Sequence, residues 1–304
     1  MIPAAAIEAA ARRIAGRARR TPVLTDGSTT YKLELVQHAG SFKARGMLNK
    51  ILAAAEHGLP EAGVVAASGG NAGLAAAYAA RELGVPAEIY VPVTAPPVKV
   101  AKLGKLGARV SQVGEEYAEA YAAAVVHAES TGALFCHAYD DPDMVAGNGT
   151  LGLELLEQLP RGFDTVLVAV GGGGLVAGLG AALHGRAKVV AVEPRTARAL
   201  HAALEAGEPV DVPVSGVAAD SLGARRVGDI GFRTAVEAGI EAVLVDDQAI
   251  VEARRRLWED YRLAVEHGTA AAQAALTTGA YVPAPGERVV VLLCGANTDP
   301  STLA

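Results

Sequence analysis

The sequence predicts an α/β fold, with parallel-rich twisted sheets and helices on both faces. Three observations carry this expectation. Strand-like apolar runs alternate with helix-like runs along nearly the whole chain. Two long charge-free runs, Ala62–Ala80 and Thr165–Leu183, are each broken near the middle, by SGGN and by GGGG. The helical segments are rich in small residues, as in AGLAAAYAA and AAAQAAL, which lets helices pack closely on a sheet. Each charge-free run has the length of a membrane span. A continuous helix through four glycines, however, loses roughly 1 kcal/mol per glycine relative to alanine. A buried strand, a glycine turn and a buried helix explain both runs better.

The elements follow in order. MIPAAAIEAAARRIAGRARR reads as an amphipathic helix that ends before Thr21-Pro22, because proline disfavours helix at the preceding residue. Its charges follow the apolar part, which is not the pattern of a signal peptide. Short apolar runs predict strands at Gly63–Ala67, Ala87–Val91, Arg109–Val113, Thr165–Val170, Lys188–Val192, Ala242–Val245 and Arg288–Leu293. Longer runs predict helices at Ala44–Glu56, Ala72–Leu83, Glu115–Ser130, Val145–Glu157, Leu175–Leu183, Arg198–Ala206 and Ala249–Leu263.

The composition narrows the class. The chain has 304 residues, enough for one large or two moderate domains. It is 51% hydrophobic and 20% charged, so it is globular, and at 4% aromatic its core rests on Ala, Val and Leu. The net charge of −6 and the absence of a basic stripe point away from nucleic acid and from anionic membranes. Two cysteines, Cys136 and Cys294, show no metal-type spacing and suit a reducing, cytoplasmic setting.

Ligands of open α/β sheets bind in the loops after the strands. Four loops there carry candidate chemistry. In VAVGGGGLVAG (Val168–Gly178), a strand enters four glycines and a helix leaves. Backbone N–H groups of such a loop converge on an anion, and phosphate is the natural ligand. The same loop fits a dinucleotide fingerprint, with Gly172, Gly174, Ala177 and, about 20 residues on, Glu193. In VVAASGGNAGLAAAYAA, Ser68 and Asn71 either hold a carboxylate together with the N–H groups of Gly69 to Ala72, or simply cap a helix. In GSFKARG, Lys43 is either a solvated amine, the commoner case, or a desolvated one at a helix start. Desolvation and the positive end of a helix both lower a lysine pKa and suit the amine to a Schiff base. Arg45 reads as a helix charge. In VVVLLCGAN, the last strand delivers Cys294 into a glycine turn, as a small core residue or as a partner for something bound there.

Taken together, SFKARG, SGGNAG, GGGGL and CGAN, in that order, resemble the fold-type II pyridoxal phosphate enzymes, in the serine/threonine dehydratase group. YDDPDMVAGNGTLGLELLEQ (Tyr139–Gln158) is similar to the family's stretch entering its large domain. The resemblance runs from Thr21-Pro22 to Cys294 and decides against the dinucleotide fingerprint. It implies a two-domain fold like the tryptophan synthase β chain. Residues 1–52 and 139–304 would form the large cofactor domain, and residues 53–138 the small one. It implies pyridoxal 5'-phosphate as cofactor and Lys43 as its covalent anchor and the catalytic base. Phe42 would pack beside the ring, and Asn71 would bond its 3'-oxygen. Gly171, Gly172, Gly173 and Gly174 would hold the phosphate, and Cys294 would face the pyridine nitrogen. Ser68, Gly69, Gly70 and Ala72 would bind the substrate carboxylate. The implied reaction is dehydration and deamination of L-serine, L-threonine or a related β-hydroxy amino acid, in a cytoplasmic homodimer.

Departures from the family pattern carry expectations of their own. Racemising members have a serine where this chain has Gly69, so little racemisation is expected. GNGT (Gly147–Thr150) and EHGTA (Glu266–Ala270) replace GQGT and EPxGA. Glu193 and Ala197 match part of a cation site, but Ala199 stands where an acidic residue belongs, so no metal is expected. Glu193 reads equally as a strand-end glutamate in water. No regulatory domain follows Cys294 in this sequence, so feedback inhibition by isoleucine is not expected.

Overall fold

The computed structural model describes residues 1–303. Two sheets organise the chain. The larger has six strands in the order β1 (Val23–Asp26), β2 (Thr29–Lys32), β10 (Val289–Leu292), β7 (Thr165–Ala169), β8 (Lys188–Pro194) and β9 (Glu241–Val245). The smaller has four, in the order β5 (Arg109–Gln112), β4 (Ala87–Val91), β3 (Val64–Ala67) and β6 (Leu134–Phe135). Every pairing is parallel except β1 with β2. That antiparallel hairpin is a correction to the expected strand list. Its outer strand is half exposed and polar, so it lacks the apolar run that marks the buried strands.

The continuous apolar strands are explained by burial on both faces. Leu167 and Ala169 of β7 pack toward α10 (Asp247–Tyr261) and α11 (His267–Thr278). Val166 and Val168 pack the other way, against α6 (Pro142–Gln158), α7 (Gly174–Leu183) and α8 (Ala199–Ala206). In the small sheet, Val64 and Ala66 face α2 (Lys43–Ala55) and α3 (Asn71–Glu82), while Val65 and Ala67 face α5 (Tyr117–Thr131). Alanine stripes make these approaches close: Ala75, Ala76, Ala79 and Ala80 of α3 are fully buried.

Other elements depart from the expectation. The first helix, α1 (Ala4–Ile14), stops well short of Thr21, before Gly16 turns left-handed. Helices α4 (Pro97–Lys105) and α9 (Asp229–Ala238) form where the expected elements include none. Among the described residues no helix is long and apolar enough to cross a membrane.

Arg45 is not a surface charge. It is 3% exposed and grips Glu34 at 2.6 Å and Glu154 at 2.9 Å. Lys32, fully buried, pairs with Glu154 and donates to the Thr21 carbonyl at 2.7 Å. This two-cation, two-anion cluster ties the β1–β2 hairpin, α2 and α6 together, two residues along α2 from Lys43.

Candidate active site

Strand ends from both sheets meet at one cavity. Among its lining residues are Phe42, Lys43, Asn71, Gly171, Gly172, Gly173, Gly174 and Cys294, all expected from the sequence. Ser68, Gly69, Gly70 and Ala72 form the neighbouring turn and do not line the cavity. There the Gly70 N–H donates to Ser68 Oγ at 3.2 Å.

Backbone geometry places Lys43. Ala39 and Gly40 both adopt left-handed conformations, with φ of 55° and 73°. Ser41 then bridges to Gly295, and the Phe42 N–H donates to the Cys294 carbonyl at 3.0 Å. The chain is thereby stitched to the end of β10 before Lys43 opens α2. The amine lies 5.1 Å from the centre of the Phe42 ring and donates to the Ala138 carbonyl. It forms no ion pair with any described carboxylate. Burial lowers its pKa to about 8, partly offset by Cys294. A partly buried amine with a lowered pKa and no ion-pair partner is suited to react with a carbonyl group.

The glycine loop is built against Tyr139. A Cβ on Gly172 would overlap the Tyr139 ring, and one on Gly174 would fall 2.6 Å from its carbonyl oxygen. Gly173, with φ of 93°, precedes the N-terminus of α7. Side chains are therefore excluded from the loop, and Gly171 to Gly174 line the cavity at the start of α7. A partly buried amine and a glycine loop free of side chains at a helix start, both lining one cavity, fit pyridoxal phosphate.

Asn71 is not a helix cap. Its amide donates to both oxygens of Glu266, at 2.9 and 3.0 Å. Asn297 donates its side-chain amide to Asn71 Oδ1 and to the Ala39 carbonyl, both at 2.7 Å. Its backbone N–H donates to Glu266 at 3.0 Å. Burial raises the Glu266 pKa. Cys294 is buried beside Thr269, and burial pushes its thiol up to about 12, so it stays neutral. Sequence motifs alone assign no role to Glu266, Asn297, Tyr139, Thr269, Ser221 or Leu222. Glu266 and Thr269 stand in EHGTA, Asn297 in CGAN and Tyr139 at the head of the Tyr139–Gln158 stretch, so position was the signal for these four.

Glu193 is not in water. It is fully buried, and its oxygens accept the Leu200 and His201 N–H groups at 2.9 and 2.7 Å. It caps α8, with a pKa that burial raises to about 7 against those bonds. Ala197 is buried close by and offers no side-chain ligand.

Residues 16–295 match the family described as pyridoxal-phosphate dependent enzyme. The L-threonine ammonia-lyase of Geobacter sulfurreducens is 37% identical over 100% of this chain and 78% of its own. The phenylserine dehydratase of Ralstonia pickettii is 38% identical over 91% of this chain and 85% of its own. Among solved structures, a threonine deaminase from T.th. aligns with a TM-score of 0.89 at 36% identity, covering 98% of this chain and 99% of its own. Maize serine racemase aligns with a TM-score of 0.91 at 32% identity, covering 99% and 95%. The family match and these likenesses agree: the chain belongs to the pyridoxal-phosphate dependent enzymes of fold type II.

Proposed function

We propose that the protein is a pyridoxal phosphate-dependent ammonia-lyase. It converts L-serine, L-threonine or a related β-hydroxy amino acid to a 2-oxo acid and ammonia. The observation that carries this reading is the Lys43 amine, partly buried and without an ion-pair partner in the cavity that Gly171 to Gly174 also line, in a chain 37% identical to an L-threonine ammonia-lyase.

When bound, the cofactor supplies an electron sink for the α-carbon. Lys43 anchors it, and its lowered pKa leaves part of the amine neutral near neutral pH. With the cofactor bound, the Lys43 amine would be the base that takes the substrate's α-proton. Gly171 to Gly174 hold the phosphate through backbone N–H groups. Phe42 packs beside the ring and Asn71, held by Glu266 and Asn297, bonds the 3'-oxygen. The turn from Ser68 through Gly69 and Gly70 to Ala72, at the positive end of α3, takes the substrate carboxylate. The neutral Cys294 thiol would stand by the ring nitrogen and would not strengthen the electron sink as a carboxylate does.

Elimination is favoured over racemisation because Gly69 has no proton to deliver to the opposite face. The same proposal divides the chain into residues 1–52 with 139–304 and residues 53–138, and places it as a homodimer in the cytoplasm. Two free, buried cysteines accord with a reducing compartment. A panel of β-hydroxy amino acids with 2-oxo acid detection tests the reading. Release of 2-oxo acid and ammonia in equal amounts from L-serine or L-threonine is expected. A panel in which no member yields 2-oxo acid from the coloured, cofactor-loaded protein defeats it.

A further inference from the structure

Arg254, in the middle of α10, is 4% exposed and directs all five of its N–H donors at two loops. Its Nε donates to the Val265 carbonyl at 2.9 Å. One terminal nitrogen donates to the Thr302 carbonyl at 2.8 Å and to His267 Nε2 at 3.4 Å. The other donates to Thr298 Oγ1 and Thr302 Oγ1, both at 2.8 Å. A guanidinium only donates, so His267 accepts at Nε2 and its ring is neutral, with the proton on Nδ1. Burial, and then Arg254 itself, lower the His267 pKa in the same sense. A buried cation is costly unless its donors are matched, and here each one is. None of these residues borders the cavity, so the fork holds whether or not the cavity is filled.

The two loops carry the groups that hold Asn71. Val265 and His267 flank Glu266, and Thr298 follows Asn297. Glu266 stands just before α11 with φ of −68° and ψ of 156°. A following proline enforces that extended conformation, and a proline at the first helical position also fixes the helix start. The family pattern EPxGA has proline there, whereas this chain has His267, which imposes neither restraint. We propose that Arg254 is a positioning residue that supplies the restraint of the missing proline: it fixes Glu266 and Asn297, and through them Asn71. The consequence for the cofactor rests on the reading that Asn71 bonds the 3'-oxygen of pyridoxal phosphate.

Amide hydrogen exchange in the cofactor-free protein, followed residue by residue by NMR, tests this. The Glu266 N–H donates to the Gly295 carbonyl at 3.1 Å and the Asn297 N–H to Glu266 at 3.0 Å, so both report on the fork. Arg254→Met should speed both by about tenfold relative to the amides of β7 and β10. Adding His267→Pro to Arg254→Met should slow them again. Arg254→Gln, which stays polar but lacks the fork, reads the same amides should Arg254→Met not fold. In the loaded protein, Arg254→Met should change the visible circular dichroism of the cofactor, and the added His267→Pro should restore it. Exchange at Glu266 and Asn297 that rises no more than in the strands, or that proline does not reverse, overturns the proposal. Exchange that rises and is reversed while the cofactor signal never changes overturns the contact of Asn71 with the 3'-oxygen and leaves the positioning role standing.

Discussion

At the scale of single residues, Lys43 carries a charge cost that pH can expose. Its folded pKa, about 8, lies below the ordinary lysine value of 10.5. Between those values the unfolded chain binds more protons than the folded one, so stability from this group rises with pH. Below about pH 8 the fold carries the full cost of a buried ammonium. In the cofactor-free protein, wild type is therefore expected to gain stability relative to Lys43→Met as pH rises from about 8 to 10.5. Urea midpoints of both proteins across that window check it, and a constant difference counts against the buried amine. Gly69 allows a second prediction. A Cβ there would lie 3.5 Å from Val91 Cγ1 and 3.9 Å from Lys99 Cδ, ordinary contacts, so Gly69→Ser fits. The variant should racemise L-serine measurably while the parent does not, as chiral chromatography of the remaining serine would report. A short motif was enough to bring Lys43 to the cavity and Gly69 to the turn beside it. The holders of Asn71 were not legible in this way, since Glu266 and Asn297 lie 195 and 226 residues away along the chain. No local pattern encodes a contact of that range.

At the scale of elements, the strand-to-helix loops were the most legible part of the fold. Uninterrupted apolar strands and glycine turns signal themselves, and β3, β7 and β10 all end at the cavity as expected. The β1–β2 hairpin and α4 were missed because one is half exposed and the other starts in a run of prolines. Arg45 was misread because its spacing suits a helix surface. Its burial depends on Glu34 and Glu154, which the helix pattern does not show. Removing one member of such a buried cluster leaves an unpaired charge, at a cost of about 3–5 kcal/mol. Arg45→Ala should lower the unfolding free energy by that order in a denaturant titration. A loss under about 1 kcal/mol would place the cluster in the class of exposed ion pairs. In the glycine loop, an alanine at 173 meets a left-handed backbone, and its Cβ falls 2.9 Å from Val227 Cγ2. Left-handed backbone costs an L-residue about 1–2 kcal/mol. Gly173→Ala is expected to weaken pyridoxal phosphate binding by about tenfold, which corresponds to about 1.4 kcal/mol, as equilibrium titration would show.

At the scale of the whole molecule, the cavity is a junction. The smaller sheet contributes Asn71 and the larger sheet the glycine loop and Cys294, while Lys43 stands between them at the start of α2. Lys99 of α4 also pairs with Asp220, next to the cavity residues Ser221 and Leu222. A ligand seated at such a junction ties the two sheets together, so pyridoxal phosphate should stabilise the whole fold. At about a hundredfold over Kd the expected gain is about 2.7 kcal/mol, read as a shift of the denaturation midpoint. The central claim is that Lys43 is the residue that holds the cofactor. Borohydride reduction of the loaded protein, followed by peptide mapping, tests it most directly. A single phosphopyridoxyl group on the peptide containing Lys43, lost in Lys43→Ala, is the predicted result. A label on any other lysine, or a loaded protein that takes up no label, would contradict it.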